Sequence, residues 1–257
     1  MTPRYAAIFG QLILREIGRG TKEQVLDIAC GTGHPSLELL RRLGDGARIV
    51  AIDRSSKLLD VAQRRALRDS GRRIFFKVAS AESLRFGEDV FDAVFGNLAL
   101  QHVESPSRAL GECKRVLTRG GRLLLTQPLS GTFEEVLDML REAALKFDLP
   151  DVASRVETVA ANYPRPEELA ALARRAGFVD VSVKVDSFRL PFRGANVILT
   201  DPLLTAVAMH EWRWVAGEGE HGQRVLDHVR GALDTYFGGG PLSLSVEAGL
   251  LMGRKPD

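Results

Sequence analysis

Near the beginning of the chain lies the segment Val25-Leu-Asp-Ile-Ala-Cys-Gly-Thr-Gly33. Its first five residues, Val25–Ala29, form a mostly apolar run with the length of a buried strand. The glycines that follow permit a tight turn in which backbone N–H groups and a ligand approach each other closely, and Pro35 is compatible with the first turn of a helix. A buried strand, a glycine turn and a helix in this order are typical of the first unit of a doubly wound sheet, where nucleotides bind.

An acidic residue, Asp53, follows Gly33 by twenty positions at the end of the second predicted strand. A carboxylate at this spacing can accept both hydroxyls of a ribose, so the sequence predicts a nucleotide-like cofactor, and NAD is one candidate. A dinucleotide fingerprint starting at Gly31 requires glycine or alanine at position 36, where the chain has Ser36. Pro35 also has no N–H to donate to a pyrophosphate. These two residues disfavour NAD.

Short apolar runs alternate with helical patterns as far as about residue 190, which indicates a parallel sheet with helices on both faces. Together with two later runs they predict an α/β fold with a doubly wound, mostly parallel seven-stranded sheet. The predicted strands are Val25–Ala29, Arg48–Asp53, Ile74–Val78, Phe91–Phe95, Arg122–Thr126, Val179–Leu190 and Leu242–Met252.

Local signals set the expected helix boundaries. Ser105-Pro106 is an N-cap followed by proline at the first helical position, and Gly120-Gly121 is expected to end that helix. The spacing Thr132-x-x-Glu135 is that of a capping box and predicts an extra helix after the fifth strand.

Two segments interrupt the alternation of strands and helices. Asp201-Pro202 opens one helical pattern and Gln223–Tyr236 carries another. We interpret Ser130–Tyr163 and Phe192–Gly240 as helical insertions that cap one end of the sheet, within a single domain of residues 1–257.

Composition narrows the class of protein. The 257 residues are 45% hydrophobic and 26% charged, and 35 basic against 33 acidic residues leave a formal charge of +2. This balance is typical of a globular protein and indicates neither a nucleic-acid nor a membrane partner. Two cysteines exclude a disulfide framework, and the spacing of His210, Glu211 and His221 does not suggest a metal site. With no apolar run of about 18 residues and no secretory pattern, a cytoplasmic location is expected.

Three further segments extend the pattern in order and spacing. Ala79-Ser-Ala-Glu82 follows the third strand, Phe91-Asp-Ala-Val-Phe-Gly-Asn97 covers the fourth strand and its loop, and Leu110–Leu125 contains a helix, a glycine turn and the fifth strand. With the glycine turn and Asp53, they resemble the class I S-adenosylmethionine-dependent methyltransferases, in particular the UbiE-like, type 11 enzymes that act on small molecules. The resemblance covers about residues 20–128. It implies a Rossmann-like fold and S-adenosylmethionine as the cofactor.

The resemblance also assigns roles to residues. The glycine turn faces the methionine part of the cofactor, Asp53 binds the ribose, and the segment at Ser80 frames the adenine ring. Ser80 stands where the family often has an aspartate, and Ala29 where it often has a glycine. For Asp27, ordering the glycine loop is an equally good alternative. The residues implied to bind the cofactor are Asp27, Ala29, Gly31, Gly33, Asp53, Arg54, Leu58, Ser80, Ala81, Glu82 and Asn97.

His102 is the candidate catalytic residue, because it follows the fourth strand at the edge where methyl donor and acceptor are expected to meet. A histidine with an ordinary pKa of about 6.5 can take a hydroxyl proton during methylation. Packing, or contact with the cofactor, is the alternative role for this side chain.

Candidate substrate contacts come from three places. Tyr5 and Phe9 lie on a short amphipathic N-terminal helix, and Gln127 follows the fifth strand. Trp212 and Trp214 lie in the second insertion, where a spacing of two residues on a helix directs the rings to different faces. One ring is therefore expected to pack inward and the other to line a cleft.

The function expected from these features is methyl transfer to a small organic metabolite, at an oxygen, carbon or nitrogen atom. An RNA or protein methyltransferase is a weaker alternative, because the chain lacks a basic stripe and an Asn/Asp-Pro-Pro-aromatic tetrapeptide after the fourth strand. A non-methylating enzyme that binds S-adenosylmethionine stays open. The expected partners are the acceptor and, at most, a second copy of the chain.

Overall fold

The computed structural model describes residues 3–17, 23–43, 46–69 and 73–257. The strands of these residues are β1 (Gln24–Ile28), β2 (Arg48–Asp53), β3 (Ile74–Val78), β4 (Phe91–Asn97), β5 (Leu117–Pro128), β6 (Val179–Phe192) and β7 (Leu242–Arg254). The α-helices are α1 (Pro3–Glu16), α2 (Ser36–Arg42), α3 (Ser56–Asp69), α4 (Pro106–Val116), α5 (Glu134–Lys146), α6 (Pro150–Ala160), α7 (Pro166–Arg175), α8 (Pro202–Val207), α9 (Met209–Ala216) and α10 (Gly219–Tyr236). Short 3-10 helices span Leu100–His102 and Ala195–Val197.

The strands form one seven-stranded sheet with the order β3-β2-β1-β4-β5-β7-β6. Strands β1 to β5 pair in parallel, and the order reverses between β1 and β4. Hydrogen bonds from Gly120 N to Lys255 O and from Leu129 N to Glu247 O show that β7 runs antiparallel to β5. The predicted doubly wound, mostly parallel sheet is therefore confirmed.

Central strands carry the apolar runs because neither of their faces meets water. Val25, Leu26 and Ile28 of β1 are all buried. The edge strand β3, in contrast, exposes Phe75 and Val78.

The chain divides into two compact units. The sheet unit comprises Ala6–Gln127, Pro166–Val185 and Gly249–Asp257. The helical unit comprises the chain up to Tyr5 with Pro128–Arg165 and Asp186–Ala248. Helices α5, α6, α8, α9 and α10 belong to the helical unit and fall within the two expected insertions. The organisation as a single domain of residues 1–257 stays a prediction.

Several helix starts follow from local chemistry as expected. Ser105 Oγ accepts a hydrogen bond from Arg108 N at 3.4 Å, with Pro106 in the first turn of α4. Asp201 Oδ1 accepts from Leu203 N at 2.8 Å at the start of α8. The helix expected at Gln223–Tyr236 begins earlier, at Gly219.

The sequence suggested that Gly120-Gly121 ends α4, and this prediction is wrong. The helix stops at Val116 and β5 begins at Leu117, so both glycines lie inside the strand. Gly120 has a φ of +69°, and the pairing of β5 with β4 shifts register between Phe91 and Ala93. The glycines therefore accommodate an irregularity in the strand.

The extra helix predicted after the fifth strand is present as α5, but the predicted capping box at Thr132 and Glu135 is wrong. The N-cap of α5 is Phe133, in a left-handed conformation and without a side-chain cap. Thr132 Oγ1 instead accepts from Glu247 N at 3.0 Å, and Glu135 Oε2 accepts from Ser245 N at 3.0 Å. Both side chains satisfy the backbone of β7, which competes successfully for the same polar groups.

Candidate active site

Two loops at the carboxyl ends of neighbouring strands form the candidate site. Strand β1 ends at Ile28 and β4 at Asn97, and Asp27 pairs with Phe95. A Cβ atom added to Gly96 would lie 2.8 Å from Ile28 Cγ1, so glycine is needed for the close approach of the two strands. This is where the strand order reverses, the usual ligand position in a doubly wound sheet.

The glycine loop after β1 presents open backbone to a ligand. Gly33 N donates to Cys30 O at 2.9 Å, which closes the turn. Gly31 has a φ of +56°, and a Cβ atom there would meet no atom within 4 Å. Gly33, with a φ of +91°, packs instead against Ala62 and Leu37. Space for a ligand therefore lies at Gly31, and Ala29 holds the same left-handed conformation at a φ of 55° despite its side chain.

Asp27 is a completely buried carboxyl group at the end of β1. Ser36 Oγ donates a hydrogen bond to its Oδ2, but Oδ1 has no partner among the described residues. Burial raises the pKa of Asp27 well above its ordinary value, and the nearby charge of Asp53 adds to the increase. Buried polar atoms are almost always paired, so Oδ1 is suited to a donor from a bound molecule.

Asp53 holds the glycine loop with both carboxylate oxygens. Its Oδ2 accepts from Gly31 N at 2.8 Å, and its Oδ1 accepts from Ser55 N at 2.8 Å. Each oxygen has a second lone pair. The carboxylate can therefore accept ribose hydroxyls while it keeps the loop in place.

The loop after β4 is organised by Asn97 and Thr126. Thr126 Oγ1 donates to Asn97 Oδ1 at 2.8 Å, and Asn97 Nδ2 donates to Ala6 O of α1 at 2.9 Å. Leu98 has a φ of 60° and its N–H donates to Thr126 Oγ1 at 3.0 Å. Asn97 thus ties α1 to β4, and its contact with a cofactor stays a prediction. Sequence reasoning missed Thr126, which lies on the adjacent strand.

In the segment after β3, the side chains of Ser80 and Glu82 already accept hydrogen bonds from the protein backbone. Ser80 Oγ accepts from Glu82 N at 3.2 Å, and Ala81 is buried. Glu82 Oε1 accepts from Ser105 N at 2.8 Å, so its carboxylate supports the start of α4. The exposed residues of the predicted set are Arg54, which pairs with Glu104 at 3.8 Å, and Leu58.

Three more polar atoms of the sheet unit are buried without a partner among the described residues. They are His34 Nε2 in the turn after β1, Gln127 Oε1 at the end of β5, and Glu23 Oε2 just before β1. A Cβ atom on Gly10 would lie 2.9 Å from His34 Nε2, so α1 packs closely over this ring. Burial lowers the pKa of His34 and favours the neutral imidazole. Gln127, a predicted substrate contact, keeps a free carbonyl for a ligand donor.

Both cysteines are buried. Burial raises the pKa of Cys113 to about 12 and also that of Cys30, where the charges of Asp27 and Asp53 contribute. The protonated thiols behave as small packing groups.

His102 lies in the 3-10 helix that follows β4. Its side chain lies outside the described part of the structure, so its role as a base stays a prediction.

The two tryptophans of the helical unit differ in their exposure to solvent. Trp212 is 1% exposed and meets Phe133 edge to face at 5.5 Å, whereas Trp214 is 52% exposed and lines a cleft. Tyr5 is buried in the same unit and stacks on Phe133 at 6.2 Å. Phe9, in contrast, is buried in the sheet unit. The contact of these four predicted residues with a substrate stays a prediction.

The helical unit also contains a cluster of hydrogen-bonded polar side chains that the sequence analysis did not identify. Tyr163 Oη donates to Glu211 Oε2 at 3.3 Å, and Asn162 Nδ2 donates to Glu211 Oε1 at 3.2 Å. Burial, and then the charge of Glu211, raise the pKa values of Tyr5 and Tyr163.

Within the described ranges, no three His, Cys, Asp or Glu side chains form a group that could hold a metal ion. None of the described helices is long and apolar enough to cross a membrane.

Comparison with known proteins identifies a family. The family model described as "Methyltransferase domain" matches residues 26–125, all within the sheet unit. The chain is 33% identical over 172 residues to a demethylmenaquinone methyltransferase of Clavibacter sepedonicus, a match that covers 62% of this chain and 66% of that protein. It is 32% identical over 166 residues to the demethylmenaquinone methyltransferase of Thermus thermophilus, with coverage of 61% and 74%. The chain thus spans about two thirds of the length of the first of these relatives.

Solved structures share the fold. A putative methyltransferase from Bacillus halodurans superimposes with a TM-score of 0.63 and 18% identity, and the match covers 98% of this chain and 100% of that one. At this identity the likeness concerns the fold alone.

Proposed function

The chain belongs to the class I S-adenosylmethionine-dependent methyltransferases of the UbiE-like kind, and we propose that it methylates a ring carbon of a small quinol-like acceptor. The observation that carries the choice of acceptor is the similarity to two relatives at 32–33% identity, both named as demethylmenaquinone methyltransferases. Membership of the family does not fix the acceptor of this chain, because the matched family segment ends at residue 125. The choice of acceptor is therefore part of the proposal.

The residues of the glycine loop fit S-adenosylmethionine. The open backbone at Gly31 leaves room for the methionine part, and the unpartnered Asp27 Oδ1 suits a positively charged amino group. Asp53 has lone pairs left for the ribose hydroxyls, and Ser80 and Ala81 are the residues expected beside the adenine ring. When bound, the cofactor supplies an electrophilic methyl group on its sulfonium.

The work of the protein is then alignment and exclusion of water. Asn97 and Thr126 fix the loop after β4 and hold α1 beside it. The buried Gln127 Oε1 can accept a hydrogen bond from an acceptor hydroxyl and so orient the ring. Removal of the hydroxyl proton of a quinol makes its ring carbon nucleophilic, and His102 is the proposed group to take that proton. The hydrogen on the methylated ring carbon then leaves as a proton when the ring becomes aromatic again.

The test is a product analysis with the purified full chain and methyl-labelled S-adenosylmethionine. Demethylmenaquinol, kept reduced, is compared with a catechol as an oxygen acceptor and phosphoethanolamine as a nitrogen acceptor. We expect label on a ring carbon of the quinol, with one S-adenosylhomocysteine released per methyl transferred. Label confined to the catechol or the amine would overturn the acceptor, and a product formed without S-adenosylhomocysteine would overturn methyl transfer itself.

A further inference from the structure

The helical unit contains an open cleft of about 920 Å³, a volume in the range of small-molecule sites. Its walls come from α9, α10 between Gly219 and Arg230, and the segment 196–200, with Arg155 of α6 at one side. All of these residues lie in the helical unit and outside the segment matched by the family. The cleft therefore uses none of the residues that are expected to bind the cofactor.

An aromatic surface and apolar side chains line part of this cleft. Leu199, Met209 and Leu226 supply the apolar side chains, and Trp214 adds an indole ring that is half exposed. A planar ring placed on Trp214 would remove apolar surface from water.

Charged groups line the rest of the cleft. Arg155 Nε donates to Val215 O at 2.9 Å, and Arg230 pairs with Asp227 at 3.1 Å. Within the described part of the chain, the guanidinium of Arg213 has neither a hydrogen-bond partner nor an ion-pair partner, and only its backbone carbonyl accepts, from Gly217 N. Glu218 is the second carboxylate of the lining. Three guanidinium groups against two carboxylates leave one positive charge in excess, so an anionic ligand is favoured over a neutral one.

We propose that this cleft binds a small planar organic monoanion, such as an aromatic carboxylate. The ring lies on Trp214, and the anionic group accepts hydrogen bonds from Arg213, whose planar fork matches a carboxylate. The ligand binds without any chemical step. Because the cleft is formed by residues outside the matched family segment, the inference does not depend on which acceptor is methylated.

Calorimetric titration of the full chain tests the site, with S-adenosylhomocysteine present throughout to occupy the cofactor site. The probes are biphenyl-4-carboxylate and its neutral isostere biphenyl-4-carboxamide, at low salt. We expect saturable binding of the carboxylate, about tenfold tighter than the amide, because a charge-assisted hydrogen bond is lost in the neutral probe. Equal affinities, or no saturable binding of the carboxylate, would overturn the proposal.

Two variants and one control assign the binding to this cleft. Arg213→Gln should weaken the carboxylate about tenfold and leave the amide unchanged, whereas Trp214→Leu should weaken both probes. Arg224→Gln is the matched control, because Arg224 is on α10 but lies 4.0 Å over the Phe147 ring rather than in the cleft. Arg213 and Trp214 are exposed, so thermal melts are expected to show folded variants. Wild-type affinity of Arg213→Gln for the carboxylate would contradict the inference.

Discussion

The sheet unit and the helical unit use their buried polar groups differently. In the sheet unit, Asp27 Oδ1, His34 Nε2 and Gln127 Oε1 are buried without partners among the described residues. In the helical unit, Trp212 Nε1 is likewise buried without a partner among the described residues, whereas the half-buried carboxylates of Glu135 and Glu211 are paired with neighbouring groups of the same unit. Unpaired buried groups cost stability, and the three that lie at or after the carboxyl ends of β1 and β5 are suited to a ligand. Glu23 Oε2, just before β1, is the fourth unpaired atom of the sheet unit. The proposed cofactor site thus lies in the sheet unit, and the helical unit offers aromatic and guanidinium groups for the proposed second ligand.

The largest expected effect tests the packing of the helical unit. Trp212→Ala should lower the free energy of unfolding by about 3–5 kcal/mol, because it empties a buried ring site against Phe133. Trp214→Ala is the matched control and should cost less than about 1 kcal/mol, since its ring is half in water. Urea unfolding followed by circular dichroism measures both. Similar losses in the two variants would contradict the division into an inward and an outward tryptophan.

The next effect tests ligand binding by the sheet unit. Asp53→Ala should weaken binding of S-adenosylhomocysteine by about 1–3 kcal/mol, because the ribose hydroxyls and Gly31 N lose their acceptor. Asp60→Ala, an exposed change on the neighbouring helix α3, serves as the control and should bind like the parent chain. Calorimetry gives both affinities. If Asp53→Ala binds as tightly as the parent, the ribose is held by another residue.

The smallest effect concerns the pH dependence of the unpaired carboxyl group. Because burial raises the pKa of Asp27 in the folded chain, the folded state favours its protonated form, and the stability that this form contributes is lost as pH rises above the unfolded pKa of about 4. Asp27→Asn can keep the acceptor for Ser36 and cannot ionise. Without ligand, the variant should therefore gain about 1 kcal/mol on the parent chain between pH 4 and pH 7.

Urea midpoints at each pH, with and without S-adenosylhomocysteine, measure this gain. Added ligand should stabilise the parent chain more than the variant, because the amino group of the ligand favours the ionised carboxylate. If the difference in unfolding free energy between variant and parent stays constant from pH 4 to pH 7, ionisation of Asp27 does not destabilise the folded chain, and the prediction is wrong.

Local patterns were sufficient for much of the fold and for the glycine loop. Val25–Gly33 determines a strand and a turn from within nine residues, and Ser105-Pro106 caps α4 with its own side chain. Thr126 was missed for the opposite reason. Its bond to Asn97 joins residues on adjacent strands, and no spacing rule connects them.

The wrong capping box shows the limit of such patterns. Thr132 and Glu135 have the spacing to cap a helix, but β7, more than a hundred residues later, offers backbone groups that need the same partners. Local sequence patterns were enough to predict the strands, the turns and the class of cofactor, because backbone propensities and glycine conformation act over a few residues. The folded structure was needed to show which polar groups are paired, which have no partner among the described residues and which tryptophan faces water. These outcomes depend on burial and on neighbours that are distant in the chain.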